Sequence, residues 1–455
     1  MAWALAGLTV AISAIATAIM ERISPLLPRT HSTGAARVKR ARIGPSAKPT
    51  VPEREGTTLL RDTALAGIVR GNVLWLGIVS LLTDMSSEMI YPLLPLFLTQ
   101  ALGASPAFLG MVEGVAETTS SMLKLASGWF SDRIGRRKPL VLAGYGLASV
   151  ARPLIAVAIA PWHVLAIRFT DRIGKGVRSA PRDVLLADAV LPAQRGAAFG
   201  FHRAADHAGA VLGPLLASAI LLAAPGRYRL VFALAAIPAA LSVFILWLKV
   251  SEAKTAVLPP KEQLKFEGFG LLPTSLRYFL IILTLFTLGN ATDAFLLLRA
   301  QQLGVPVALI PVLWATLHVS KMLSSVPGGL LADRLGARRA ILSGWLLYAL
   351  VYVSFAFAAS AWQVWLLFVI YGLFYGLTEA PEKALIAALA HPDARGAAFG
   401  AYHFAIGIAA LPASVIFGLL WQSYGARTAL LTGAVIATVA ALMLLAAKFD
   451  SFRSS

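Results

Sequence analysis

The amino-acid sequence predicts an all-α membrane protein with twelve transmembrane helices in two pseudo-symmetric six-helix bundles. The first observation is composition: 58% of the 455 residues are hydrophobic and 14% are charged, against roughly 45–50% and about 25% in an average soluble domain. The second is a series of long apolar runs, and the third is a set of motifs that recur at a constant offset. Since so many apolar side chains exceed what a globular core can bury, we infer that lipid surrounds the chain.

Twelve apolar runs divide most of the chain. Each has about the 20 residues that a helix needs to cross a ~30 Å hydrocarbon core. Helices are expected rather than open strands, because backbone amides in lipid must be hydrogen-bonded within their own segment. The runs cover residues 72–98, 107–130, 139–159, 161–187, 197–223, 228–249, 274–298, 307–331, 340–359, 361–389, 397–422 and 427–447.

The segment that precedes these runs, 1–70, differs in character. Its first 20 residues are long enough to span a membrane but lack the basic start of a signal peptide. The stretch from Glu21 to about Arg70 is rich in Pro and Arg, which predicts disorder. Two interpretations of the apolar start remain: an extra, thirteenth transmembrane helix, or an extension upstream of the true start.

The placement of positive charge decides what the net charge of +18 means. Such a charge could indicate nucleic-acid binding, but the links at 99–107, 160–163 and 358–362 carry no cation, and the cations crowd the alternate links. This alternation follows the positive-inside rule and predicts that both ends of the helical core lie in the cytoplasm, at a bacterial inner membrane. The basic links contain Arg133, Arg136, Arg137, Lys138, Arg195, Lys249, Lys254, Lys261, Lys265, Arg334, Arg338, Arg339 and Arg395.

Several motifs recur at an offset of 200 residues. The sequence RGAAFG occurs at 195–200 and again at 395–400, and the Ala-Pro pair at 180 recurs at 380. Several matches at one offset indicate a duplicated six-helix unit. The predicted organisation is an N-terminal apolar and basic segment (1–70), a first six-helix bundle (71–250), a cytoplasmic linker (251–272), a second six-helix bundle (273–448) and a cytoplasmic tail (449–455).

Two loop motifs carry a resemblance to a known family. They are Gly128-x-x-x-Asp132-Arg133-x-Gly135-Arg136 and its second copy Gly329-x-x-x-Asp333-Arg334-x-Gly336. With the link that begins at Asp188, they resemble signatures of the major facilitator superfamily, and the resemblance covers residues 72–448. It implies two six-helix bundles around a central cavity that opens alternately to each side of the membrane.

The same resemblance implies a latch on the cytoplasmic side. In that family the loop acid caps a facing helix N-terminus, where the dipole favours negative charge, and bonds an Arg that pairs with an acid ending helix four. By position these residues are Asp132, Arg136 and Asp188. In the second half the positions of the last two hold Ala337 and Ala388, so both partners are absent together. The alternative is that the loop cations only set the orientation of the chain.

The fifth run resembles a motif of the superfamily's exporters. Glycines at helical spacing allow a neighbouring helix to approach closely, and Pro permits a bend. The motif favours export, and packing alone is the alternative. Its residues are Gly200, Gly209, Gly213 and Pro214.

The stretch RFTDRIGKGVRSAPRD places five cations on the fourth run. Arg168, Arg172, Lys175, Arg178 and Arg182 are spaced so that they share one broad face of a helix. Charged groups within a membrane span are costly unless they face protein or water. We therefore expect this face to line the interior of the bundle.

Acids on the first two runs are the expected partners of these cations. Asp84 resembles the helix-one acid of drug/proton antiporters, and Glu88 lies one turn further on the same face. An acid whose contact with an Arg changes during transport can bind and release a proton. We predict Asp84 or Glu88 as the proton site, with Arg168 or Arg172 as modulator.

Further charged and polar residues of the runs are candidates for lining a solute cavity. Cations and acids nearly balance, so the alternative is that most form structural ion pairs. The His-Asp grouping on the fifth run could bind a divalent metal, but the adjacent Arg disfavours a cation there, and no metal site is predicted. The candidates are Glu113, Glu117, Lys124, Arg203, Asp206, His207, Glu379 and Tyr402.

Together the residues and the resemblance predict a proton-coupled secondary transporter that exports a small solute, driven by the proton gradient and without a cofactor. We expect a monomer in the lipid bilayer that binds no nucleic acid. The alternatives are a proton-linked importer of an organic anion, a metal exporter, and a membrane sensor that does not transport. An enzyme is not predicted, because the sequence has no GxSxG, HExxH or Cys site.

Overall fold

Helices form the part of the chain that the structure, a computed structural model, describes: residues 69–134, 136–191, 194–252, 272–390 and 395–447. These residues lie in one unit of the chain, 57–455. The apolar start, most of the linker and the tail fall outside the described residues, so the thirteenth helix stays a prediction. The helical segments are α1 (Asn72–Ala101), α2 (Pro106–Ile134), α3 (Lys138–Val157), α4 (Pro161–Asp188), α5 (Arg195–Ala223), α6 (Tyr228–Lys249), α7 (Thr274–Gln302), α8 (Val307–Leu335), α9 (Ala337–Phe357), α10 (Ala361–Leu389) and α11 (Arg395–Ala446).

Some of these segments are interrupted within their length. α1 is regular over Asn72–Ile90 and then continues through irregular turns that contain two prolines, which lack the amide that a helix needs. α7 ends its first part at Gly289 and resumes at Ala294. α11 bends at Gly425, whose φ of 86° suits glycine. Residues 290–293, which form the gap in α7, therefore lie outside regular helix within the helical bundle.

Nine helical segments within the described ranges are long and apolar enough to cross a membrane, with α11 counted as one. α2 and α4, with 29 and 28 residues, have the length but are more highly charged. Trp162 and Trp362 at one end of the helices and Trp247 at the other are exposed, as interfacial aromatic residues are in membrane proteins. The prediction of an all-α membrane protein is confirmed.

Helix packing follows the repeat seen in the sequence. α4 packs on α2 and α3, as α10 packs on α8 and α9. Gly144 of α3 lies against Arg178 of α4, and Gly344 of α9 lies against Thr378 of α10. Each contact position is therefore related to its counterpart by the offset of 200.

The most extensive contacts between the first and second halves of the chain are those of α2 with α11 and of α5 with α8. Gly110 of α2 lies against the backbone of Ser414, and the Thr118 hydroxyl donates a hydrogen bond of 2.7 Å to the carbonyl oxygen of Gly407. Small residues at these crossings let the backbones approach closely.

Candidate functional site

Glycines hold α5 against α1 beside Asp84. A Cβ atom on Gly209 would collide with the carbonyl oxygen of Leu81, and one on Gly213 with the carbonyl oxygen of Met85. The Asp84 side chain also borders Gly209. Because larger residues cannot fit, these two glycines set the distance between α1 and α5 at the level of the predicted proton site.

Gly200 has no part in this contact, which corrects the prediction that all the motif glycines pack together. A Cβ atom on Gly200 would meet no described atom within 4 Å. A helix turns about 100° per residue, so Gly200 and Gly209, nine residues apart, lie on opposite faces. The ring of Phe201 fills the space at Gly77 of α1 instead, while Pro214 lies inside α5.

The Asp84 carboxylate has charged neighbours but no fixed ionic partner. It is half-buried, and the charges of Asp206, Lys175 and Arg178 act on it. No ion pair within 4 Å joins it to another residue of the described ranges. Asp84 is thus free of the strong contacts that hold most other acids of the bundle.

Glu88, the second predicted proton site, bridges the two halves. Its carboxylate accepts a hydrogen bond of 2.7 Å from Nε1 of Trp314 on α8, and Nε2 of His318 lies 3.9 Å away. The ring of Tyr91 packs on Trp314 at 5.0 Å between centroids, and its hydroxyl lies 3.3 Å from that of Thr292. α1 is therefore tied to both α7 and α8 around Glu88.

Arg168 is bound to Glu113 rather than to either predicted proton site. Its Nε and Nη2 atoms donate to the two oxygens of Glu113 at 3.1 and 2.8 Å, and both side chains are buried, at 7% and 5% exposure. A two-point contact of this kind fixes both groups. The acid that pairs with Arg168 is therefore on α2, one of the two helices whose acids were the expected partners, and the modulator role of Arg168 stays a prediction.

Asp171 is the acid of α4 around which arginines of α3 and α4 gather. It accepts a hydrogen bond of 2.7 Å from Nε of Arg152, and Arg168 and Arg172 approach it at 3.7 and 4.0 Å. Asp171 is 2% exposed, and burial on this scale requires charged partners. Arg172 thus has its ion pair on α4, while its charge also acts on Glu88 of α1, and its modulator role stays a prediction.

Two predicted cavity residues form a contact between the halves. Nη2 of Arg203 on α5 lies 3.7 Å from Glu379 on α10, and the side chains are 57% and 49% exposed. Asp206, one turn beyond Arg203, accepts a hydrogen bond from Ser80 of α1 and lies 3.6 Å from Nδ1 of His202. No group of three or more His, Asp or Glu residues placed to hold a metal ion occurs in the described part of the chain.

Glu117, Lys124 and His207 lie in charged surroundings and make no ion pair within 4 Å among the described residues. Glu117 accepts a hydrogen bond of 3.4 Å from Ser121, and the positive charge of Lys124 acts on it. His207 acts electrostatically on His318 of α8. Their place in a solute cavity stays a prediction.

Tyr402 lies inside the second half. Its hydroxyl donates a hydrogen bond of 3.0 Å to Glu382, which also accepts a hydrogen bond of 3.3 Å from Nε1 of Trp345. Tyr402 and Glu382 are 5% and 7% exposed. Tyr402 therefore anchors a buried carboxylate of α10, and its place in a solute cavity stays a prediction.

A polar cluster at the gap in α7 was missed by sequence reasoning. Asp293 accepts hydrogen bonds of 2.7 Å from the hydroxyls of both Tyr371 and Tyr375 on α10. Nζ of Lys321 lies 3.4 Å from the centre of the Tyr375 ring. The signal that could have found the cluster is a pair of tyrosines four residues apart, which share a helix face.

At the loop between α2 and α3, the cation that pairs with Asp188 is Arg137. Its Nη1 atom lies 2.7 Å from the carboxylate, while Arg136 is exposed. Glu252 accepts hydrogen bonds from the backbone amides of Arg137 and Lys138 at 2.8 and 2.9 Å. This capping fixes Arg137 at the start of α3, facing the end of α4, so the predicted choice of Arg136 is corrected.

The remaining residues of the predicted latch are placed as follows. Gly336 has a φ of 87° and joins α8 to α9, a conformation that favours glycine. Asp333 and Arg334 are exposed, and a Cβ atom on Gly329 would meet no described atom within 4 Å. Gly135 lies outside the described residues, and only the backbone of Gly128, Asp132 and Arg133 is described.

Comparison with known proteins relates the chain to a transporter family. The sequence model of the Major Facilitator Superfamily matches residues 76–320 and 278–453. An uncharacterised MFS-type transporter of Methanocaldococcus jannaschii is 33% identical over 381 residues, which cover 82% of this chain and 94% of the relative. The multidrug resistance protein MdtH of an Enterobacter species is 24% identical over 316 residues, covering 68% and 77% of the two chains.

Solved structures show the same fold. The nucleoside transporter NupG superimposes with a TM-score of 0.71 at 14% identity and covers 83% of this chain and 99% of its own. A bacterial homologue of the human lysosomal transporter Spinster, in an inward-facing and occupied conformation, gives a TM-score of 0.68 at 16% identity and covers 86% and 97%. At these identities the likeness concerns the fold alone.

Proposed function

Because the chain belongs to the major facilitator superfamily, we propose that it is a proton-coupled secondary transporter that exports a small solute across the bacterial inner membrane. The family and its fold are those of a transporter rather than an enzyme. The proton gradient supplies the energy, with no bound cofactor. The chain acts as a monomer, since each major facilitator unit contains its own central cavity.

The proposal includes twelve membrane crossings. α2 and α4 would each be about 42 Å long at 1.5 Å per residue, enough for a ~30 Å hydrocarbon core. Their charges in the apolar zone include Glu113, Arg168 and Asp171, which are paired inside the bundle. α11 would cross twice, turning at Gly425. With α2, α4 and a second crossing by α11, the nine apolar segments become twelve crossings.

The proposed orientation follows from charge. We define the basic end as the helix end that carries Arg137, Lys138, Lys249 and Arg338, and we assign it to the cytoplasm by the positive-inside rule. Both core termini then lie in the cytoplasm, and the Arg137–Asp188 pair would act as the latch on that side. In this orientation Arg203 and Glu379, which are exposed and in contact between the halves, would lie towards the cytoplasmic side.

The observation that carries the proposed proton coupling is the state of Asp84. Among acids of the first half, Glu113 and Asp171 are neutralised by buried arginines, whereas Asp84 has no ion pair within the described part of the chain and lies where α1 meets α5. A carboxylate in such a place can be protonated or ionised as its neighbours move. Rocking of the two halves would change the distance between Asp84 and Lys175, whose charge already acts on it.

Export is the proposed direction for two reasons. The glycine contact of α5 with α1 involves Gly209 and Gly213, two residues of the motif that resembles that of exporters. The MdtH relatives are named multidrug resistance proteins, and resistance is consistent with efflux.

Proton movement in inverted membrane vesicles tests the proposal. Vesicles energised by respiration would be monitored with a pH probe while organic cations, organic anions, amphipathic drugs and divalent metals are added in turn. We expect one class of compound to release protons from the vesicles, and Asp84→Asn to abolish the release.

A matched variant controls for the removal of a carboxylate. Asp183→Asn removes an acid that is 47% exposed and pairs with its neighbour Arg182, so we expect it to behave like the unmodified chain. If all compounds are silent while the protein is present in the membrane, antiport is wrong, and an importer or a sensor becomes the better interpretation.

A further inference from the structure

Cations from both halves of the chain form a basic ring in the central region, which we define as Lys124 of α2, Arg172 and Lys175 of α4, and Lys383 of α10. α2 and α4 meet where Gly176 lies against Leu123. The Ser127 hydroxyl donates a hydrogen bond of 2.9 Å to the carbonyl oxygen of Gly176. Lys124 and Lys175 adjoin these contact residues and repel each other electrostatically.

The second half brings Lys383 to the same level. Gly407 of α11 packs on Ser121 of α2, and Tyr402, just over one turn before Gly407, is hydrogen-bonded to Glu382 of α10. The residue after Glu382 is Lys383, whose charge acts on Lys124. The ring therefore spans the boundary between the two halves.

The first three cations of the ring lie deep in the helices. At 1.5 Å per residue, Lys124 is about 15 Å, Lys175 about 20 Å and Arg172 about 24 Å from the ends of their helices at the basic end. These depths favour contact with the interior over extension of the charged groups to the membrane surface. Charges at such depth are costly unless they meet an opposite charge or water.

Close carboxylate partners are few at the ring, although Asp84 and Glu88 of α1 also interact electrostatically with Lys175. Lys124, Lys175 and Lys383 have no carboxylate within 4 Å in the described residues. Glu117 is the acid whose charge acts on Lys124, Lys175 and Arg172 together. Nε of Arg172 lies 4.0 Å from Asp171, which is already bonded to Arg152, and this Nε is buried without a hydrogen-bond partner. Positive charge is thus left over between the two halves.

We propose that the basic ring is the binding site for the exported solute and that this solute is a multiply charged organic anion. This inference rests on the proposed transport function and adds the substrate class. Lysines supply mobile point charges and Arg172 supplies a fork of donors, a combination that suits carboxylate or phosphoryl oxygens. Because the ligand would contact α2, α4 and α10, its binding would draw the two halves together.

Glu117 gives the proposal a distinctive consequence. Its carboxylate lies within the ring and repels an anion that binds there. Removal of this charge should therefore strengthen anion binding, whereas removal of a ring cation should weaken it. A purely structural role for these residues would make both changes harmful.

Thermal unfolding of the purified full chain in detergent tests the binding site without requiring transport. The probes are citrate for carboxylates, pyrophosphate for phosphoryl groups and tetraphenylphosphonium as an organic cation. We expect one of the two anions to raise the unfolding temperature, at least tenfold weaker binding in Lys124→Gln and Lys175→Gln, and tighter binding in Glu117→Gln. Lys249→Gln, which changes the same charge at the basic end, should bind like the unmodified chain.

The proposal is overturned if tetraphenylphosphonium stabilises the protein and both anions fail, or if the ring variants bind anions as well as the unmodified chain does. The gain in binding of Glu117→Gln does not depend on a variant losing its fold. Anion binding without proton release in vesicles would refute the coupling and leave the ring intact. Proton release by other compounds without anion binding would refute the ring alone.

Discussion

Arg168 and Glu113 form a two-point hydrogen-bonded ion pair between α4 and α2, with both side chains almost completely buried. Breaking a buried pair from one side leaves an uncompensated charge, which typically costs about 3–5 kcal/mol. Glu113 has no second cation within 4 Å in the described residues, whereas Arg168 retains Asp171 at 3.7 Å. We therefore expect Arg168→Leu to lower the free energy of unfolding more than Glu113→Leu does.

Reversible unfolding in mixed micelles measures this difference. The double variant Arg168→Leu/Glu113→Leu serves as the control, because it removes both charges and should be more stable than the sum of the single losses predicts. Equal losses in the two single variants, with simple addition in the double variant, would contradict a direct pair.

The close contact between α1 and α5 predicts a contrast between two glycines of one motif. Gly209→Leu places a side chain against the carbonyl oxygen of Leu81, so we expect little correctly folded protein and no transport. Gly200→Leu places a side chain in open space on the opposite face, so this variant should fold and transport normally. Size-exclusion profiles and vesicle transport of the two variants, measured side by side, check the contrast. Equal damage would mean that the whole motif is a packing surface.

Much of the architecture could be predicted from the sequence because lipid imposes a strong pattern. Apolar runs of helical length are required wherever the backbone lies in hydrocarbon, so runs such as 161–187 correspond closely to α4 (Pro161–Asp188). The offset of 200 predicted a repeated unit, and the structure shows equivalent contacts in the two halves, Gly144 with Arg178 and Gly344 with Thr378.

The details of the site depend on information that residue spacing does not contain. The choice between Arg136 and Arg137 for Asp188 is made by Glu252, which caps α3 from a distant part of the chain. The gap in α7 falls inside an apolar run without Pro, so the sequence predicts that Asp293 is an ordinary helical residue. Partners on other helices, such as Glu113 for Arg168, depend on how the helices rotate when they pack.

The Arg137–Asp188 contact predicts which of two adjacent cations acts at the latch. Its side chains are 14% and 25% exposed, and pairs of this kind contribute about 0.2–1 kcal/mol. We expect a double-mutant cycle of Arg137→Ala with Asp188→Ala to show coupling in that range, measured as transport rate or unfolding free energy. The matched cycle with Arg136→Ala should show none. Coupling through Arg136 alone would restore the assignment implied by the family resemblance.

The polar contacts at the gap in α7 predict the effects of substitutions at two tyrosines of α10. Asp293 is held by hydroxyls of Tyr371 and Tyr375, and the Tyr375 ring also lies under Nζ of Lys321. Tyr371→Phe removes one donor to a charged acceptor, a contact worth about 1.5–3 kcal/mol, and should lower the free energy of unfolding. Tyr375→Leu removes a hydroxyl and the ring that faces Lys321, so it should be more harmful than Tyr375→Phe.

Unfolding in mixed micelles and solute affinity in vesicles are measured for each variant, to separate the effect of the hydroxyl contacts with Asp293 from that of the ring that faces Lys321. Tyr278→Phe, a hydroxyl removed from the exposed face of α7, is the control and should change neither. If Tyr375→Phe and Tyr375→Leu are equally harmful, the ring does not hold Lys321, and the hydroxyl contact with Asp293 accounts for the whole effect. If Tyr371→Phe leaves the free energy of unfolding unchanged, the hydrogen bonds at the gap do not stabilise α7.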